Sequence, residues 1–206
     1  MSPIEPSYWA EAKAHLRRVD PVIGAVVDRL EDPPLRSKGR IFETLVHSIV
    51  GQQISAKAAD AVWGRFVACV GDVVPERVAA QAPESLRSVG LSGRKVEYIL
   101  GLATTGSWVV DHPWEERSDD EVRSDLIRLR GVGPWTAEMV LIFTLLRPDI
   151  LPLGDIGVLR SIESLYAAGE RLPLERIEAI AEPWRPYRTA GTWYLWRHLD
   201  AEPVEY

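Results

Sequence analysis

Cysteine is almost missing from this chain: Cys69 is the only one in 206 residues. One thiol excludes a disulfide framework and a four-cysteine iron–sulfur cluster. Histidine is sparse, at His15, His47, His112 and His198. They are scattered, and no histidine, cysteine and carboxylate cluster has metal-ligand spacing, so no catalytic metal and no other cofactor for catalysis is expected. No apolar run approaches the roughly 18 residues that span a bilayer, and no apolar N-terminal segment follows a basic flank. The expectation is no membrane partner and a cytoplasmic location, nucleoid-associated in a bacterium. Strand-like alternation is missing beyond a few residues, as are internal repeats and low-complexity tracts. Basic excess is missing too, with a net charge of −6.

What is present is helical. With 46% hydrophobic residues the chain can bury a core as one domain or two intimate lobes. Helices are predicted over about 6–19 and 21–30, the second with Asp20 as N-cap and Pro21 in its first position. Glu31-Asp32-Pro33-Pro34 reads as a breaker and lobe hinge. A helix from about Gly39 to Gln52 carries an apolar stripe of Ile41, Phe42, Leu45, Val46, Ile49 and Val50. Ser55 caps a helix at 56–70, Pro75 and Pro83 open two short ones, and Gly90 ends the second of these. Ser92 caps a helix to about Thr105, and Ser118-Asp119-Asp120-Glu121 is a capping-box sequence. Further helices are predicted at about 156–168, 174–182 and 186–199. The fold class is all-α: two helical lobes, about 34–147 and about 1–33 plus 148–206, with a cleft between them.

The organising stretch is Leu126 to Val158, LIRLRGVGPWTAEMVLIFTLLRPDILPLGDIGV. A helix end, a tight Gly131-Val132-Gly133 turn and a helix opened by Pro134 form a helical hairpin, expected at the lip of the cleft. Glycine permits the positive φ such a turn needs. The free N–H groups of Gly133, Trp135 and Thr136 then point outward together, as a site for a phosphate. Asp155 stands alone between Gly154 and an apolar helix start, either as that helix's N-cap or as a working carboxylate.

This stretch resembles the helix-hairpin-helix DNA glycosylases, and within them the 3-methyladenine DNA glycosylases of the AlkA type, in a compact, yeast-like form. Phe42–Ala59 (FETLVHSIVGQQISAKAA) and Trp184–Arg197 (WRPYRTAGTWYLWR) agree with the same branch, in the same order. The resemblance implies a monofunctional enzyme acting on double-stranded DNA with alkylated bases, as a monomer. The base would be flipped out of the duplex before its bond to the sugar is hydrolysed, starting base excision repair. Asp155 falls on the catalytic aspartate, to stabilise the positive charge that builds on the sugar. Members that also cut the strand carry a lysine two residues after the second glycine. Here that residue is Trp135, so no lyase step is expected. The hairpin of the family commonly holds a structural sodium or potassium ion through main-chain carbonyls, which would be those of Ile127, Leu129 and Val132.

A purine alkylated at N3 or N7 is cationic and attracts an aromatic wall. Of the eight tryptophans, Trp193 falls on the family's pocket position and is preferred to Trp196, three residues on. Trp135 and Met139 are expected to face the same cleft. Met139 departs from the AlkA type, which has an aromatic residue there. A core role is the plain alternative for any one tryptophan. Gln53 corresponds to the residue that fills the gap left by the flipped base, with Gln52 and Ser55 beside it; simple helix capping is the alternative. Arg94 and Lys95, poorly placed for the dipole of their own helix, are either a solvated face or a phosphate clamp. The groups Arg36/Lys38/Arg40, Arg94/Lys95 and Arg185/Arg188/Arg197 imply a locally positive face with a steep salt dependence. Two other functions stay open: a glycosylase for deaminated or mismatched bases, and a non-catalytic hairpin protein that binds damaged DNA.

Overall fold

The computed structural model describes residues 4–30 and 34–199. The breaker at Glu31, Asp32 and Pro33 lies outside them. Among the described residues there are helices and no strands, with one isolated antiparallel bridge, Ile4 to Ser37. No helix among them is long and apolar enough to cross a membrane. The described residues divide into two compact units: 4–30 and 34–38 together with 146–199, and Gly39–Leu145.

The first unit is built from α1 (Trp9–Val19), α2 (Pro21–Arg29), α11 (Ile156–Tyr166), α12 (Leu174–Ala181) and α13 (Arg188–Leu199). Residues 6–8, predicted helical, form a turn closed by the Trp9 N–H on the Pro6 carbonyl. Asp20 does more than cap. Its Oδ1 accepts the N–H groups of Val22 and Ile23, while Oδ2 accepts the Tyr166 hydroxyl at 2.7 Å and the Trp184 indole N–H at 2.9 Å. A buried carboxylate is tolerable only with its acceptor sites used in this way. Burial, then the bond to Asp20, pushes the Tyr166 phenol above its ordinary pKa. Around this hub the side chains of Leu16, Ile23, Trp184 and Tyr194 are fully buried.

The second unit is arranged around α3 (Ile41–Gly51), with α4 (Ala56–Val70), α5 (Pro75–Ala79), α6 (Pro83–Ser88), α7 (Gly93–Thr104), α8 (Gly106–Asp111), α9 (Asp119–Leu126) and α10 (Pro134–Phe143). The stripe expected on α3 understates it. Every residue from Ile41 to Val50 is buried, polar Glu43, Thr44, His47 and Ser48 included, because α4, α7, α8 and α10 all pack on it. A helix surrounded on all sides cannot keep a polar face in water. The caps read from the sequence form: Ser55, Ser92 and Ser118 each accept a main-chain N–H, and Glu121 completes the capping box. The α8 turn of helix was not expected.

Candidate active site

The hairpin belongs to the Gly39–Leu145 unit. α9 ends at Leu126, and the chain turns through the N–H of Leu129 on the Leu126 carbonyl and that of Val132 on the Leu129 carbonyl, both 3.0 Å. Gly131 has φ +89°, and a Cβ there would collide with the Tyr98 ring. Both facts require glycine. Gly133 is different. Its φ is −104° and nothing lies within 4 Å of where its Cβ would be. The turn needs one positive φ, not two, and Gly133 leaves open space at the start of α10. α10 has no side-chain cap, whereas α2, α4, α7, α9 and α11 each have one. Thr136 is buried and Trp135 half-buried. Met139, expected to face the cleft, is only 1% exposed and packs as a core side chain.

Gln52 and Gln53 part company. The Gln52 side-chain amide donates to the Gly131 carbonyl at 3.0 Å and to the Thr136 hydroxyl at 3.1 Å, tying the end of α3 to the hairpin. Gln53 is exposed and has φ +60°, in the left-handed region that residues other than glycine rarely occupy. Ser55 caps α4 by accepting the Ala58 N–H. Arg94 is exposed. Lys95 follows neither reading given above. Its ammonium donates to the Val50 carbonyl at 2.7 Å and the Gln52 carbonyl at 2.8 Å, at the C-terminus of α3, where the dipole favours a cation. Burial pushes its pKa below the ordinary lysine value. Its bad position in α7 was the one sequence signal that it serves another helix.

Asp155 belongs to the other unit. The segment leading to it is held by α13: Arg188 grips the Asp149 carboxylate with two N–H groups, Thr189 bridges the Arg147 carbonyl and the Ile150 N–H, and the Thr192 hydroxyl donates to the Ile150 carbonyl. The Asp155 N–H then closes a turn on the Pro152 carbonyl. Oδ1 of Asp155 accepts two bonds of 2.9 Å, from the Val158 N–H at the start of α11 and from the Trp196 indole N–H. The N-cap reading therefore holds, and it holds the carboxylate in place. Gly157 allows the close approach, since a Cβ there would stand 3.0 Å from Oδ1 and 3.3 Å from the Trp196 ring. Ile156, next to the carboxylate, is 63% exposed.

The two tryptophans are placed differently. Trp193 is 4% exposed and meets the Trp9 ring edge to face, with centroids 6.5 Å apart. Trp196 is the half-buried ring that touches the carboxylate. Both lie on α13, and only long-range packing decides which is core.

A family model described as the HhH-GPD superfamily of base excision DNA repair proteins matches residues 46–186, which takes in the hairpin, Asp155 and the α3–α4 junction. The chain belongs to that superfamily. It is 30% identical over 173 residues to a DNA-3-methyladenine glycosylase of Bacillus subtilis, covering 77% of this chain and 57% of that protein. It is also 30% identical over 162 residues to DNA-3-methyladenine glycosylase 1 of Schizosaccharomyces pombe, covering 76% of this chain and 71% of the relative. The chain thus spans little more than half the length of the Bacillus protein. A solved structure of a 3-methyladenine DNA glycosylase from S. pombe, in complex with abasic DNA, superposes with a TM-score of 0.82 at 27% identity, covering 91% of this chain and 95% of that one.

The positive face expected on the basic groups is largely not built. Arg185 and Arg188 share Asp149, Arg185 also pairs with Glu182, and Arg197 is buried. Arg36 pairs with Glu5, and Arg40 with Glu43 and Asp72. Even Arg128 and Arg130, which lead into the hairpin, pair with Asp125 and Glu97.

Proposed function

We propose that this protein is a monofunctional DNA glycosylase that hydrolyses the N-glycosidic bond of alkylated purines, of the 3-methyladenine and 7-methylguanine type, in duplex DNA. The observation that carries this reading is the Asp155 carboxylate fixed to the Trp196 indole N–H. A carboxylate and an aromatic ring held together suit a cationic base on a sugar that becomes cationic as the bond breaks. Water adds to C1′, the base departs with the electron pair of the C1′–N bond, and the carboxylate orients the water and takes up its proton for solvent. An alkylated purine leaves as a neutral base and needs little acid catalysis. Trp135 offers no amine to attack the sugar, so the product is an abasic site.

The backbone of Gly131, Gly133, Trp135 and Thr136 anchors a phosphate, and Gln53 enters the gap in the duplex. A sodium or potassium ion fits the hairpin as a structural link to that phosphate, held by the carbonyls of Ile127, Leu129 and Val132. The Leu129 oxygen already accepts the Val132 N–H, but a carbonyl has a second lone pair to give. The protein acts as a monomer in this reading.

The test is single-turnover base release from duplexes carrying 7-methylguanine, 3-methyladenine, hypoxanthine or uracil, with abasic product detected as alkali-dependent nicks. Wild type should release the methylated purines. Asp155→Asn should lose that release and keep duplex binding. Binding with no release from any substrate would leave a damage-binding hairpin protein instead.

A further inference from the structure

We infer that Lys95 is a positioning residue for Gln53: its ammonium fixes the peptide joining Gln52 to Gln53, and thereby the attitude in which the exposed glutamine meets the duplex. This rests on the proposed action on DNA. The geometry is specific to that peptide. The Gln52 carbonyl, one of the two oxygens that Lys95 holds, belongs to the same planar unit as the Gln53 nitrogen. Its orientation therefore enters directly into the φ of Gln53, which at +60° is strained for a side-chain-bearing residue. Such strain persists only where the surroundings over-determine it. Here they do. Lys95 grips the peptide oxygen from α7, while the Gln52 side chain is anchored to the Gly131 carbonyl and the Thr136 hydroxyl on the hairpin. The loop that carries Gln53 and the turn that would hold the phosphate are thus one hydrogen-bonded assembly, within one unit of the chain.

A lysine already committed to two carbonyls is a poor phosphate clamp, and the two roles give opposite results. The probe is a duplex with a tetrahydrofuran abasic analogue flanked by 2-aminopurine, whose fluorescence rises when a side chain unstacks it; no base cleavage is needed. With Lys95→Met, duplex affinity and its salt slope should be unchanged. The fluorescence rise at saturation should fall to that of Gln53→Ala, and base release should slow about 10- to 100-fold, as for a misplaced reacting group. A phosphate clamp predicts the reverse: weaker binding, a salt slope smaller by about 0.9, and full fluorescence at saturation. That pattern would overturn the assignment. Should Lys95→Met fail to fold, Lys95→Gln decides, because its shorter, neutral amide cannot hold both the Val50 and Gln52 carbonyls. A normal fluorescence response in that variant would also overturn it. If wild type released no base at all, the glycosylase reading would fall while the fluorescence arm still judged Lys95.

Discussion

One oxygen of Asp155 accepts two short bonds, and the two donors are unequal. The Val158 N–H comes with the helix; the Trp196 indole N–H depends on a side chain 41 residues away. Trp196→Phe keeps an aromatic ring and removes only that donor. A hydrogen bond to a charged group contributes about 1.5–3 kcal/mol, so single-turnover release should fall about 10- to 100-fold with little change in duplex affinity. An unchanged rate would show that the indole bond does not hold the reacting carboxylate. Sequence made Asp155 legible as a cap, because an aspartate before an apolar helix start is a strong local signal. It did not make Trp196 legible. Trp193 and Trp196 differ in which side of α13 meets α1, and nothing within four residues of either records that. The same holds for Asp20, readable as a cap and unreadable as the partner of Tyr166 and Trp184.

At the scale of elements, helix starts were the most legible feature, since a cap and its helix are neighbours in the chain. α8 escaped because it opens on Gly106 with no side-chain cap and is too short to show a period. The hairpin was legible as a turn but not in detail, for its two glycines look alike in sequence and differ in space. That difference can be measured. Gly131→Ala must adopt a positive φ and displace the Tyr98 ring, and should lose about 1–3 kcal/mol of stability in denaturant titration. Gly133→Ala has an ordinary φ and room for the methyl, so its stability should stay within about 0.5 kcal/mol of wild type. The methyl would instead stand at the uncapped start of α10 and weaken duplex binding. Equal loss of stability in both variants would mean that Gly133 is a folding residue and that its open space is not kept for a ligand.

For the whole molecule the question is how an acidic chain, at a net charge of −6, would hold a polyanion. Counting basic residues along the sequence suggested positive clusters and a steep salt dependence. The folded chain spends those charges on itself, through pairs such as Arg185 with Asp149, 36 residues apart, that local sequence cannot reveal. In the proposed function, phosphate contacts would then fall mainly to main-chain N–H groups and a few cations such as Arg94, and amides release few counterions. The logarithm of duplex affinity should therefore fall with the logarithm of salt at a slope of only about −1 to −3, the value for one to three Lys or Arg contacts. Exposed ion pairs are held weakly, so DNA could compete for their arginines. A slope steeper than about −5 would show that it does, with exposed carboxylates such as Glu97, Glu5 and Asp72 giving up their partners on binding. Titration of an abasic duplex over a salt series separates the two, and the arginines responsible would be those whose replacement by glutamine flattens the slope.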